Sequence, residues 1–120
     1  MADRVLFISW GAPVRGREER GLEVFNDSMG LYGRMQQEGR IERFNVVLLA
    51  PNTLLDGFIE LQGSAEQLGA ARDSDDFRKS LADASLIVDD ISLIDGVVNE
   101  GIAREMAIYQ ESIGRVPQMT

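Results

Sequence analysis

Hydrophobic positions along this chain follow two rhythms, and the switches between them outline its elements. Val5 to Trp10 (VLFISW) is a short apolar run of strand formers bounded by Gly11 and Pro13, which predicts a buried strand. From Arg17 the period lengthens: Leu22, Phe25, Met29, Tyr32 and Met35 recur at steps of three and four, one face of a helix. Gly39 is placed to close that helix in the left-handed conformation. Gly30 and Gly33 inside it each cost about 1 kcal/mol relative to alanine, which suggests close packing there. A second strand is expected over Ile41 to Ala50 and a third over Gly57 to Gly63, joined by a hairpin longer than a tight turn. In the third, Ile59 and Leu61 point one way while Phe58, Glu60 and Gln62 point the other.

The second half repeats the alternation. Ser64 to Gln67 (SAEQ) matches a capping box with Ser64 as N-cap, opening a helix through Leu68 and Ala71. DSDDF breaks or re-caps it, with Ser74 as a second N-cap, and Phe77, Leu81 and Ala84 continue an apolar face. Asp90 to Val98 reads as a fourth strand. Ile102, Met106, Tyr109 and Ile113 form the stripe of a last amphipathic helix, followed by a tail. The order is β-α-β-β-α-β plus a C-terminal helix, an α+β arrangement of the ferredoxin-like type. Residues 1–98 are expected to form the body, and 99–120 a helix and tail belonging to the same domain. The first strand is apolar on both sides, Val5 and Phe7 against Leu6, Ile8 and Trp10, and such a sheet is usually covered on both faces. Helices cover one face, so a second copy is expected on the other.

Composition narrows the chemistry. The 120 residues include no cysteine and no histidine. Disulfides, thiolate nucleophiles, zinc–cysteine sites and iron–sulfur clusters are excluded, as are Ser-His and Cys-His catalysis and the usual haem ligand. The net charge of −8 disfavours nucleic acid and anionic membranes as partners. The start of the chain does not read as a signal peptide, and no apolar stretch spans a bilayer, so a cytoplasmic location is expected. The carboxylate clusters at Asp73, Asp75 and Asp76 and at Asp89 and Asp90 lack the spacing of a calcium loop. No metal and no cofactor is expected.

The stretch WGAPVRGREERG, between the first strand and helix, invites comparison with a phosphate cradle. It has neither G-x-G-x-x-G nor the P-loop pattern, and Glu18 and Glu19 offset its arginines. It reads instead as a turn opening a solvated helix start, with Arg15 and Arg17 in water.

Three stretches carry a resemblance: VLFISWGAPVRGREERGLEVFND, the hairpin FNVVLLAP with LDGFIELQG, and SAEQLGAARDSDDFRKSLADASLIVDDISLID. Over about residues 4–98 they are similar to the dimeric α+β-barrel superfamily, which includes antibiotic-biosynthesis-monooxygenase-like and muconolactone-isomerase-like families. The resemblance implies two sheets paired across a twofold axis and a pocket between sheet and helices in each subunit. It includes cofactor-free oxygenases, isomerases and haem enzymes. The absence of histidine departs from the haem-dependent members, and no catalytic residue carries over.

Among individual residues, Glu60 is the candidate catalytic group, a mid-strand carboxylate with Phe58 and Gln62 on its own face. Its alternative role is a salt bridge with Arg43 on the neighbouring strand. Ser9, Asn45 and Ser92 are mid-strand polar groups able to orient a ligand, Trp10 is placed to line a pocket mouth, and Arg43, Phe58 and Gln62 complete the candidate ligand set. Tyr32 and Tyr109, on helix stripes, read as core or interface. Three functional readings follow. The first is a small homodimer that binds an apolar or aromatic ligand. The second is a cofactor-independent monooxygenase or isomerase acting on a small aromatic or polyketide-like molecule. The third is a protein–protein or regulatory module.

Overall fold

A computed structural model describes residues 1–119. The elements run β1 (Arg4–Trp10), α1 (Glu18–Gln37), β2 (Arg43–Leu48), β3 (Gly57–Gly63), α2 (Ala65–Asp73), α3 (Asp75–Ser85), β4 (Ser92–Val97) and α4 (Glu100–Ile113). The four strands form one antiparallel sheet in the order β2-β3-β1-β4. Each β-α-β unit therefore crosses over the strand that comes to lie between its ends. This is the ferredoxin-like α+β fold that the element order predicts.

Strand parity decides what meets the helices. Leu6, Ile8, Ile59 and Leu61 are buried and form the core with Leu31, Tyr32 and Met35 of α1, Leu68 and Ala71 of α2, and Phe77 of α3. The register pairs Leu6 with Leu61 and Ile8 with Ile59, so β1 and β3 at the centre supply the densest packing. The opposite, open face carries Val5, Phe7 and Ser9 of β1, Arg43, Asn45 and Val47 of β2, Phe58, Glu60 and Gln62 of β3, and Ser92, Ile94 and Gly96 of β4.

Local signals place the helices. The end of α1 is a full Schellman turn: Arg40 N–H donates to the Met35 carbonyl at 2.8 Å and Gly39 N–H to Gln36 at 3.2 Å, with Gly39 at φ 73°. That turn drops Ile41 into the core, so β2 begins at Arg43, two residues later than expected. Both arms of the Ser64–Gln67 capping box are made, and Gln67 also donates to the Gly39 carbonyl at 3.1 Å, tying α2 to the end of α1.

Ser74 is the N-cap residue of α3, as expected, although its hydroxyl donates to the Ala71 carbonyl at 2.6 Å and makes no cap bond to the helix. Two local expectations are corrected. Gly30 and Gly33 are not close-packed: an added Cβ at Gly33 would meet nothing within 4 Å, and at Gly30 only the Arg34 guanidinium. Arg17 is not merely solvated, because it donates to the Leu86 carbonyl at 2.6 Å beyond α3. The stretch from Gly11 to Val14 is zipped onto residues 87–89 by three backbone hydrogen bonds.

α4 leaves the sheet at the end of β4 and stands away from it. Its first turn is held: Gly101 is buried, Asn99 donates to the Ala2 carbonyl at 2.7 Å, and Arg104 pairs with Asp3. Beyond that turn Met106, Tyr109 and Ile113 remain exposed.

Candidate functional site

A cavity of about 450 Å³ lies between the helix-side face of the sheet and helices α1 and α3. Its floor is Ile8 and Trp10 of β1, Leu48 of β2 and Ile59 of β3. One wall is the inner stripe of α1 with Val24, Phe25, Ser28 and Tyr32, and the other is Ser80, Leu81 and Ala84 of α3 continued by Ile87, Val88 and Ile91. The cavity lies toward the Trp10 end of β1, while the core beside Leu6 is filled by Met35, Leu61 and Phe77. Leu22 and Leu48, both largely exposed, rim the opening.

The lining is apolar except at two places. In the lining, Ser28 and the half-buried Ser80 join α1 to α3 through a 2.9 Å hydrogen bond, with the buried Tyr32 beside them. Burial pushes the Tyr32 hydroxyl up to about 12, while its contact with Ser80 acts the other way more weakly. At neutral pH Tyr32 is a neutral phenol, able to donate but unfit as a base. At the rim stands Glu18, the one ionic side chain in the lining. Its carboxylate accepts the Gly16 N–H at 2.7 Å. Trp10 and Phe25 meet edge to face with ring centroids 6.3 Å apart, giving the floor an aromatic corner.

The residues singled out from the sequence divide by strand parity. Trp10 lines this cavity. Ser9, Arg43, Asn45, Phe58, Glu60, Gln62 and Ser92 come together on the open face, on the other side of the sheet. There Ser9 is buried beside Phe58, whose ring packs on Phe7 at 4.8 Å. Glu60 lies between Phe7 and Asn45 across the ladder, and Arg43 lies opposite Gln62. The expected Glu60–Arg43 bridge is not formed within the chain, although the register sets the two residues diagonally on adjacent strands, within reach of long side chains. Sequence reasoning missed Ser28, Tyr32 and Ser80 as a polar group. The readable signal was a serine at position 28 inside an otherwise apolar helical stripe, four residues before a tyrosine.

Among the described residues no group of three Asp or Glu side chains is placed to hold a metal ion, and no helix is long and apolar enough to cross a membrane.

No family model matches the chain, and no curated protein does. Its fold is shared with solved structures. A dimeric ferredoxin-like protein of unknown function from Bacteroides fragilis superposes with a TM-score of 0.60 at 11% identity, covering 79% of this chain and 96% of that one. Hydroxynitrile lyase from Passiflora edulis superposes with a TM-score of 0.62 at 13% identity, covering 83% and 97%. A Chloroflexus aurantiacus protein described as an antibiotic-biosynthesis-monooxygenase candidate gives 0.55 at 9% identity, covering 80% and 93%. The structural neighbours thus include a dimeric ferredoxin-like protein, a lyase and a monooxygenase-like protein, and this chain shares their fold.

Proposed function

We propose that the protein is a homodimeric binding protein for a small, neutral molecule with an aromatic or otherwise apolar body. The reading rests on one observation: an apolar cavity of about 450 Å³ whose lining includes a part-buried group of three hydroxyls. Its volume falls within the roughly 300–1,000 Å³ usual for small-molecule sites. The apolar walls supply affinity by burying ligand surface, and Tyr32, Ser28 and Ser80 hydrogen-bond one polar end. No lysine or arginine lines the cavity and Glu18 stands at its rim, which disfavours an anion, and the apolar walls penalise the desolvation of any charge, so the reading takes a neutral ligand. In this reading residues 1–98 are the body that holds the ligand, and 99–120 are an arm of the same unit.

Trp10 is the only tryptophan and lies in the cavity, so its fluorescence reports occupancy directly. Titration with 2-naphthol is expected to change Trp10 emission saturably, more tightly than naphthalene and far more tightly than 2-naphthoate. Ala84→Phe, which fills the space, is expected to abolish the effect. A linear, non-saturating response to all three probes counts against the reading.

A cofactor-independent monooxygenase or isomerase is the second reading, favoured by the likeness to the Chloroflexus protein. In the cavity it would rely on the substrate's own reactivity and on orientation by the hydroxyls. Glu60, on the other face of the sheet, would act only on a molecule held between two sheets. Oxygen consumption with an easily oxidised hydroquinone, absent in Ala84→Phe, would support it. A regulatory protein–protein module is the third reading, favoured by the exposed stripe of α4.

A further inference from the structure

Charge on the open face of the sheet is sparse and balanced. Within the strands that face holds two ionic side chains, Glu60 and Arg43, among Val5, Phe7, Val47, Phe58 and Ile94. Among the described residues neither Glu60 nor Arg43 has an ion-pair partner, whereas Arg40, Arg72 and Arg104 all do. Burial of this face against a second copy would desolvate both charges, which is costly unless each finds an opposite charge. A twofold interface is self-complementary: if residue i of one copy meets residue j of the other, j also meets i. One acid and one base per copy therefore satisfy each other twice across the axis.

We propose that in the homodimer Glu60 of each copy pairs with Arg43 of the partner subunit, and that these two reciprocal pairs fix the register of the two sheets. This rests on the homodimer reading above and names the charged contacts of that same surface. The apolar residues supply attraction without direction, and any offset between the sheets buries them nearly as well. The ion pairs penalise every offset that leaves a charge unmatched. The cavity lies on the other side of the sheet, so the pairing is independent of ligand.

Sedimentation equilibrium of wild type, Glu60→Lys, Arg43→Glu and an equimolar mixture of the two variants tests it. Each variant alone is expected to weaken dimerisation about tenfold or more, because it sets like charges opposite each other. Mixed, they are expected to recover wild-type affinity as heterodimers, since Lys on one copy then meets Glu on the other and Glu60 still meets Arg43. Circular dichroism and Trp10 emission establish that each variant is folded, and Glu60→Gln and Arg43→Gln provide neutral forms if a reversal does not fold. Variants that dimerise as well as wild type, or a mixture that does not recover, overturn the pairing and leave the dimer standing. A pair confined within one chain would be restored by both reversals in the same molecule but not by mixing. A wild type that is monomeric at micromolar concentration overturns both the pairing and the dimer.

Discussion

Tyr32 shows what burial does to a single polar group. Its side chain is buried in the lining of an apolar cavity, and desolvation raises it to about 12 from the ordinary tyrosine value near 10. Ionisation is thus easier in the unfolded chain than in the folded one. The associated stability is fully present below pH 10 and is lost as pH rises from about 10 to 12, amounting to roughly 3 kcal/mol. Tyr32→Phe should flatten that alkaline loss, as measured by urea unfolding at pH 8 and pH 11. It should also weaken 2-naphthol binding several-fold while leaving naphthalene binding unchanged. A mutant with the same alkaline slope as wild type would mean that Tyr32 is not the group responsible. Arg40 and Asp76 behave oppositely. Two hydrogen bonds of 2.7 and 2.9 Å join them, and the guanidinium holds the Asp76 carboxyl well below the usual carboxylate range. That contribution is present above about pH 4 and is lost as pH falls below it. Both side chains are partly exposed, so Asp76→Asn is expected to cost only about 1 kcal/mol, less in high salt. An equal cost at pH 2 and pH 7 would show that the ion pair is not its source.

Elements were legible in the sequence wherever a period and a punctuating residue agreed. The alternation in Gly57–Gly63 placed Ile59 and Leu61 on one face and Phe58, Glu60 and Gln62 on the other, which is how β3 is built. Gly39 and the Ser64–Gln67 box marked true helix ends because each satisfies backbone groups locally. What the pattern did not carry was which sheet face holds the cavity. Both faces of β1 and β2 are apolar, so parity grouped Ser9, Asn45 and Glu60 correctly without saying that helices cover the opposite side. Nor could it reveal that Ser28 and Ser80, 52 residues apart, meet across two helices. α4 was predicted from its stripe, but a stripe does not name what it packs against. The structure attaches this helix only by its first turn, where a Cβ on Gly101 would fall on the Asp3 carbonyl oxygen. A lone helix of 14 residues is marginal in water. Backbone amides from Met106 onward should therefore exchange rapidly in dilute protein and become protected as concentration rises into the dimeric range. Strong protection in a demonstrated monomer would mean that α4 needs no partner.

At the scale of the whole molecule, the same apolar stripe bears on how much surface two copies can bury. Four strands about 4.8 Å apart and some 20 Å long offer roughly 400 Å² of sheet per copy. A standard stable interface buries about 800 Å² per partner. The sheet alone is therefore about half of what a tight dimer needs. α4, about 21 Å long at 1.5 Å per residue, adds an apolar strip from Ile102, Met106, Tyr109 and Ile113, all substantially exposed in the single chain. If the arm closes over the partner, it supplies most of the shortfall, and the two sources of area should separate experimentally. A chain ending at Asn99 keeps β4, the open face and every residue of the cavity. It is expected to fold, to bind 2-naphthol as wild type does, and to dissociate into monomers at concentrations at least tenfold higher than those at which the full chain separates. Sedimentation equilibrium and Trp10 titration on one preparation measure both quantities. Unchanged dimer affinity would show that the sheet suffices and that the stripe on α4 meets something other than a second copy. Lost ligand binding with an intact dimer would show that the arm of one copy completes the cavity of the other.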